Sequence, residues 1–344
     1  MRIVLDAMGS DDCPGPEVQA AVEASQLFGD EIILVGPAAE LQRRLNAINS
    51  SQSRVRVVDA PETITMEDKG LALALKAKRK GSKTSMAVGI DLVKNQQAEA
   101  FVTAGNTGGA LATAYYRLGV LPGVERPALT ALFPTRSGYC VVTDIGANPD
   151  CKPEHLLQFA IMGSEYARRV RGVENPRVGL LSNGEEPGKG NELVKETYPL
   201  LEASGLNFIG NVEGKELFGG HADVVVTDGF SGNILLKASE AVGKLIVEEL
   251  RDQLMGSTRT KIGALLAKPA FAEIKRMMDP GETGAAPLLG INGLVFIGHG
   301  RSDAHALVNA IRSARQAVEA NLLGSMQTAI QQRLNAAQNV QEVA

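Results

Sequence analysis

Residues 101–116, FVTAGNTGGALATAYY, run as a β-branched segment, stop at Gly105-Asn106-Thr107-Gly108-Gly109, and restart at once as an alanine-rich helix. A glycine turn that opens a helix gathers free backbone N–H groups at the positive end of the helix dipole, which suits an anion. The spacing is neither G-x-G-x-x-G nor G-x-x-x-x-G-K-[ST], so neither a dinucleotide nor a nucleoside triphosphate is signalled. A second stretch, TDGFSGNILLKAS, repeats the order of strand, glycine, polar residue, glycine and helix with Asp228, Ser231, Gly232, Asn233 and Lys237. Each loop is expected to hold one side of the same small anion.

Other polar residues fall where apolar runs end. Asp6 and Gly9 follow the first run, and Asp144, Gly146 and Asn148 follow another. The stretch SNGEEPGKGNEL supplies Asn183, Glu185, Lys189 and Asn191, and GHGRSDAH supplies His299, Arg301 and Asp303. Lys189 stands between glycines, so its backbone can approach a ligand and its ammonium can reach an oxyanion. His299, also between glycines, can donate to a developing oxyanion or protonate a leaving group near neutral pH. Asp6 and Asp144 either orient a basic group or cap the following helix. Any one loop is also explained by local capping; several together with a lysine and a histidine read as an oxyanion site. Cys13, Cys140 and Cys151 form no C-x-x-C and imply neither a disulfide framework nor a metal.

Parallel strands covered on both faces must position these residues, because β-branched runs alternate with helical segments almost end to end. The runs lie at 2–9, 31–36, 54–61, 99–106, 129–135, 139–148, 177–184, 207–214, 223–233 and 294–300. The fold expected is an α/β/α sandwich with a mostly parallel sheet, forming one domain over 1–344. In such sheets ligands bind beyond the carboxyl ends of the strands. From about 240 to 280 the pattern is helical throughout, with Gly256-Ser257 marking a turn, which reads as a protruding helical hairpin. A Gln/Asn-rich tail is expected to pack loosely.

The composition fits this class. Of 344 residues 44% are hydrophobic, none is tryptophan, and 37 are glycine, so the core must be aliphatic. A net charge of -4 argues against nucleic acid as a partner. MRIVLDAMG opens as a strand without a cleavable signal pattern, and no run reaches about 18 uncharged apolar residues, so the expectation is a cytoplasmic chain that does not span a membrane. The segment 76–83, with Lys78, Arg79, Lys80 and Lys83, offers a basic face for an acidic partner protein or a phosphate-bearing group. IGALLAKPAF, with Ile262, Leu265, Leu266 and Phe271 among basic neighbours, suits a membrane surface, a greasy ligand or a second subunit.

Seven segments in order, VLDAMGSDDCP, VTAGNTGGAL, DIGAN, GNELVKETYPLL, NFIGNVEGKEL, DVVVTDGFSGNILLK and APLLGINGLVFIGHGRSDAHALVNAI, resemble the PlsX family of bacterial phosphate acyltransferases. The resemblance implies a Rossmann-like fold similar to phosphotransacetylases. It implies acyl transfer from acyl–acyl carrier protein to inorganic phosphate, giving acyl phosphate for a membrane glycerol-phosphate acyltransferase in phospholipid synthesis. It further implies a homodimer, peripheral membrane association and no cofactor. The chain departs from the family pattern at Ser10, Asp12, Cys13 and Lys69, where glycine, histidine, alanine and proline are usual, so no histidine role is expected in the first loop.

Phosphate is already an oxyanion and a thiol with a pKa of about 8.5 is a fair leaving group, so thioester phosphorolysis requires no enzyme nucleophile. Orientation, worth about 7–11 kcal/mol, and oxyanion donors, worth about 2.7–4 kcal/mol each, must dominate. Asn106, Thr107, Ser231, Asn233 and Lys189 are expected to bind phosphate, with His299 at the oxyanion or the departing thiolate. The rival readings are an NAD-dependent dehydrogenase of related fold and a non-catalytic membrane-surface scaffold.

Overall fold

The structure, a computed structural model, describes residues 1–48 and 53–343, with 334–343 described by backbone alone. Eleven strands are described: β1 Arg2–Asp6, β2 Glu31–Gly36, β3 Val55–Asp59, β4 Ala100–Thr103, β5 Ala128–Thr135, β6 Gly138–Thr143, β7 Val178–Leu181, β8 Phe208–Val212, β9 Val224–Val226, β10 Ala286–Leu289 and β11 Leu294–Ile297. They form one sheet in the order β3-β2-β1-β4-β11-β10-β5-β6-β9-β7-β8.

Strand side chains alternate between two buried layers, as a period of two requires. Ile3, Leu5, Ile32, Leu34, Val102, Val141 and Val224 join helices Gly15–Phe28, Pro153–Arg169 and Ala304–Glu319 on one face. Val4, Ile33, Phe101, Val142 and Val225 join helices Ser85–Lys94 and Thr107–Leu118 on the other. Leu235 and Leu236 of the long helix Gly229–Met255 pack into that second layer. Continuous apolar strands buried on both sides are what the aliphatic composition demands.

The sheet is parallel within β3-β2-β1-β4-β11 and within β6-β9-β7-β8, and antiparallel at β11-β10, β10-β5 and β5-β6. The two parallel blocks therefore point in opposite directions. Their register nevertheless brings their carboxyl ends together. Thr130 pairs with Thr143, and Thr143 with Val226. One residue away Leu129 pairs with Leu288, which sets Thr130 level with Pro287; Pro287 pairs with Phe296, and Phe296 with Val102. The last residues of β6 and β9 thus share a row with the penultimate residues of β4 and β11.

The expected runs at the edges of loops are shortened: 223–233 contributes only Val224–Val226 because Asp228 caps the next helix, and 139–148 stops at Thr143 because Asp144 turns inward to hold its own loop. β10 lies in a stretch not read as strand; it is four residues long and contains Pro287, a residue ordinarily taken to break strands. The first helix of the hairpin begins at Gly229, eleven residues before the expected boundary at 240, since the loop that ends β9 opens directly into it. The turn at Gly256-Ser257 is as expected, with Ser257 Oγ accepting from Thr260 N at 3.2 Å. The return is broken into Thr258–Leu266 and Lys268–Met278 near Pro269, which has no N–H to donate. The Gln/Asn-rich tail continues as helix Leu322–Val343, anchored by buried Leu322, Met326 and Ile330; its side chains beyond Arg333 lie outside the described residues. Among the described residues no helix is long and apolar enough to cross a membrane.

Candidate active site

The end of β4 is held by the end of β1. Buried Asp6 accepts from Thr103 Oγ1 at 2.8 Å and from Met8 N at 3.1 Å, and Thr103 Oγ1 in turn accepts from Gly105 N at 3.0 Å. Burial pushes the Asp6 carboxyl above the usual carboxylate range, against the pull of these donors. A Cβ at Gly9 would lie 2.8 Å from Gly105 N, so the two glycine loops pass backbone to backbone. Asp6 therefore neither caps a helix nor orients a base; it fixes the turn that begins at Gly105.

Asn106 caps helix Thr107–Leu118 with Oδ1 accepting from Gly109 N at 3.0 Å. Its Nδ2 donates to Thr65 O and Asp68 O, both at 3.0 Å, so its amide tethers the loop at 65–68. Met66 of that loop reaches the third element: a Cβ at Gly300 would meet its Cε at 2.8 Å. Asp11 N donates to Gly300 O at 2.7 Å. The ends of β1, β4 and β11 are thus stitched into one wall, with Thr107 and Gly108 exposed on it and His299 half-buried beside Gly300.

A second wall forms around Asp144, which is fully buried at the end of β6. Its Oδ1 accepts from Leu129 N, Gly146 N and Ala147 N at 3.0–3.1 Å, and its Oδ2 from Asn148 N at 2.7 Å and Asn148 Nδ2 at 2.9 Å. Burial pushes this carboxyl up while those N–H donors oppose the shift. Like Asp6, it organises its loop and caps nothing. Asn148 Nδ2 also donates to Pro127 O at 2.7 Å. Helix Gly229–Met255 starts against this loop: Asp228 Oδ1 accepts from Ser231 N at 2.8 Å, and Gly229 N donates to Asn148 O at 2.8 Å. A Cβ at Gly146 would come to 3.8 Å from the Asn233 side chain, which is exposed.

The strands leading to the two glycine loops, β4 and β9, are five places apart in the sheet, about 24 Å at 4.8 Å per strand. The long helix crosses most of that interval, from the end of β9 at Gly229 to His299 after β11, the strand next to β4. Asn233, Lys237 and Glu240 recur at i, i+4 and i+7 and so line one helix face over about 10 Å. At its far end Glu240 Oε1 lies 3.9 Å from His299 Nε2, and Glu240 Oε2 lies 3.8 Å from Lys237 Nζ. The structure therefore joins His299 to the Lys237 face, with Asn233 at one end and the Gly105–Gly108 turn on the strand next to His299. Burial holds His299 below the usual histidine range, Arg301 and Lys237 acting in the same direction and Glu240 against them.

Lys189 is placed on another loop, beyond β7. Its backbone N donates to Glu186 O at 2.9 Å, and a Cβ at Gly184 would meet its Cγ at 2.7 Å, so its stem lies across that glycine. Asn191 caps helix Glu192–Glu202 by accepting from Val194 N at 3.0 Å. Glu185, from the same loop, pairs with Lys215 at 2.7 Å, and Glu213 and Glu216 lie 3.3 and 3.5 Å from that ammonium. Of the basic run, Lys78 lies 5.7 Å from the Tyr116 ring centroid and Arg79 pairs with Glu62, while Lys80 and Lys83 are exposed. In the hairpin Ile262, Leu265 and Leu266 are 57%, 70% and 79% exposed, whereas Phe271 is half-buried.

Sequence reasoning missed Glu240, and met the loop at 65–68 only through the neighbouring departure at Lys69, without assigning it to the site. Glu240 reads in the sequence as one more charge on a helix surface, and the loop carries no polar residue between glycines to mark it. The only signal for Glu240 was its i+7 spacing from Asn233.

The family model described as fatty acid synthesis protein matches residues 1–324. A phosphate acyltransferase of Acidobacterium capsulatum is 48% identical over 315 residues, covering 91% of this chain and 92% of that protein. One from Geotalea uraniireducens is 46% identical over 316 residues, covering 92% and 90%. Among solved structures, a phosphotransacetylase from Streptococcus pyogenes superposes with a TM-score of 0.61 at 19% identity, over 93% of this chain and 94% of that one. That likeness is one of fold.

Proposed function

The chain belongs to the PlsX family and is an acyltransferase that acts on phosphate, and from that premise we propose that it moves a fatty acyl group from acyl–acyl carrier protein to inorganic phosphate. The acyl phosphate so formed would feed a membrane glycerol-phosphate acyltransferase in phospholipid synthesis. The observation that supports this reading is the meeting of both parallel blocks at their carboxyl ends, with His299 of one against Lys237 and Glu240 of the other.

In the reaction a phosphate oxygen bonds to the thioester carbon, the carbonyl oxygen takes up negative charge, and the carbon–sulfur bond then breaks. No enzyme nucleophile enters. Phosphate sits between the Gly105–Gly108 turn, with Asn106 and Thr107, and the helix face that carries Ser231, Gly232, Asn233 and Lys237. Lys189 reaches in from its loop as a mobile positive charge. Asp6, Asp144, Asn148, Asn191 and Asp228 hold the backbone that presents these groups. His299 faces the reacting carbonyl and serves either the oxyanion or the departing thiolate. Positioning and charge stabilisation together supply the rate.

The acidic carrier protein approaches over Lys78, Arg79, Lys80 and Lys83. The exposed Ile262, Leu265 and Leu266, with Phe271, give the hairpin an apolar surface for the membrane or the acyl chain. The chain works as a cytoplasmic homodimer, one domain with its hairpin at the membrane surface. The test is to mix protein, acyl–acyl carrier protein and phosphate and to trap product with hydroxylamine. Phosphate-dependent acyl hydroxamate is expected. Its absence with competent carrier substrate would exclude acyl–acyl carrier protein as the donor.

A further inference from the structure

Glu240 is a half-buried carboxylate between two nitrogen bases. Its Oε1 is 3.9 Å from His299 Nε2 and its Oε2 is 3.8 Å from Lys237 Nζ, and its side chain is only 25% exposed. The two partners come from different elements, Lys237 from the turn before Glu240 on the same helix and His299 from the loop after β11. The other charged groups acting on the imidazole are Arg301 on its own loop and Lys237 on the helix.

A carboxylate on Nε2 selects the tautomer in which that nitrogen carries the proton, because the alternative sets a lone pair against a negative charge. Nδ1 is then the free acceptor. We propose that Glu240 is a positioning residue that holds His299 with Nε2–H toward the helix, and that Nδ1 relays a proton from the attacking phosphate to the departing sulfur. This rests on the reading of His299 in the preceding subsection and chooses between the two roles given there.

The step balances without any further reactant. Hydrogen phosphate attacks the thioester carbon, its oxygen–carbon bond forms, and its proton passes to Nδ1. The imidazolium so made is stabilised by the Glu240 carboxylate. As the tetrahedral intermediate collapses, the carbon–sulfur bond breaks and the Nδ1 proton goes to sulfur, leaving acyl phosphate, thiol and neutral His299. A separation of 3.9 Å before substrate binds is in keeping with catalytic hydrogen bonds that shorten only in the substrate complex.

The experiment compares Glu240→Gln, Glu240→Asp, His299→Ala and the Glu240→Gln/His299→Ala double variant in the full-length protein. The proposal expects Glu240→Gln to lower kcat by about tenfold or more, to leave KM for phosphate within about twofold, and to move the acidic limb of the pH–rate profile to lower pH. Glu240→Asp should recover part of the rate. In the His299→Ala background, Glu240→Gln should cost nothing further. Unchanged kcat and pH profile in Glu240→Gln, or losses that add in the double variant, would overturn the role of Glu240 while leaving His299 in place. Full activity in His299→Ala would remove the reading of His299 itself and this inference with it. Thermal melts of all four proteins identify any loss that comes from unfolding.

Discussion

A Cβ placed on Gly232 would lie 1.9 Å from the carbonyl oxygen of Asp144, so the helix that carries Asn233, Lys237 and Glu240 is seated directly on the loop that ends β6. No flexible side chain can give way there; backbone meets backbone. Gly232→Ala is therefore expected to push the helix off its seat, costing about 2–4 kcal/mol of stability and more than about tenfold in kcat. Urea unfolding and steady-state rates check both. A variant with native midpoint and native kcat would mean that this close approach does not fix the site.

Glu17 predicts a pH effect on stability. It is fully buried, its Oε1 accepts from Ser10 N at 2.9 Å, and burial pushes its carboxyl up to about 6, against the hydrogen bonds from Ser10. A raised pKa means that the folded chain keeps this proton while the unfolded chain releases it. Stability should thus fall as pH rises from about 4.5 to about 6, by about 2 kcal/mol from this group. Glu17→Gln keeps the acceptor and removes the titration, so its unfolding free energy should lack that decline. Equal declines in both proteins would contradict the assignment.

Lys189 tests the phosphate site at a distance from the glycine turns. Lys189→Met should raise KM for phosphate by more than about tenfold with a smaller change in kcat. The side chain is exposed, so folding should be unaffected. Unaltered phosphate kinetics would remove Lys189 from the site.

The hairpin carries a prediction of its own. Leu265 and Leu266 are its most exposed apolar residues, and charging them should abolish co-sedimentation with anionic phospholipid vesicles. Leu265→Glu/Leu266→Glu should retain acyl transfer from soluble carrier. Vesicle binding that survives the substitutions would place membrane contact elsewhere.

The layered α/β fold was legible because strands such as Val4–Leu5 and Val224–Val225 are continuous aliphatic runs, which only a sheet buried on both faces explains. Asn106 and Asp228 were legible as helix openers from their type and position alone. The sheet's central reversal was not, since it depends on β10, whose Pro287 hides a strand stabilised by its two neighbours. Without that reversal the distance between the two glycine loops, and the role of the long helix in bridging it, could not be read. Asp6 and Asp144 read in the sequence as groups that orient a base or cap a helix; only their N–H and hydroxyl donors reveal them as clamps on backbone.

The central claim is that phosphate itself attacks the acyl carbon. Phosphorus NMR of a reaction containing acyl–acyl carrier protein, isotopically labelled at the acyl carbonyl carbon, tests it directly. The account predicts a new phosphorus resonance split by the labelled carbon, growing as inorganic phosphate is consumed, and growing more than about tenfold more slowly in Gly232→Ala. Labelled carbon appearing only as free carboxylate or unreacted thioester, with the phosphate resonance unchanged, would contradict it.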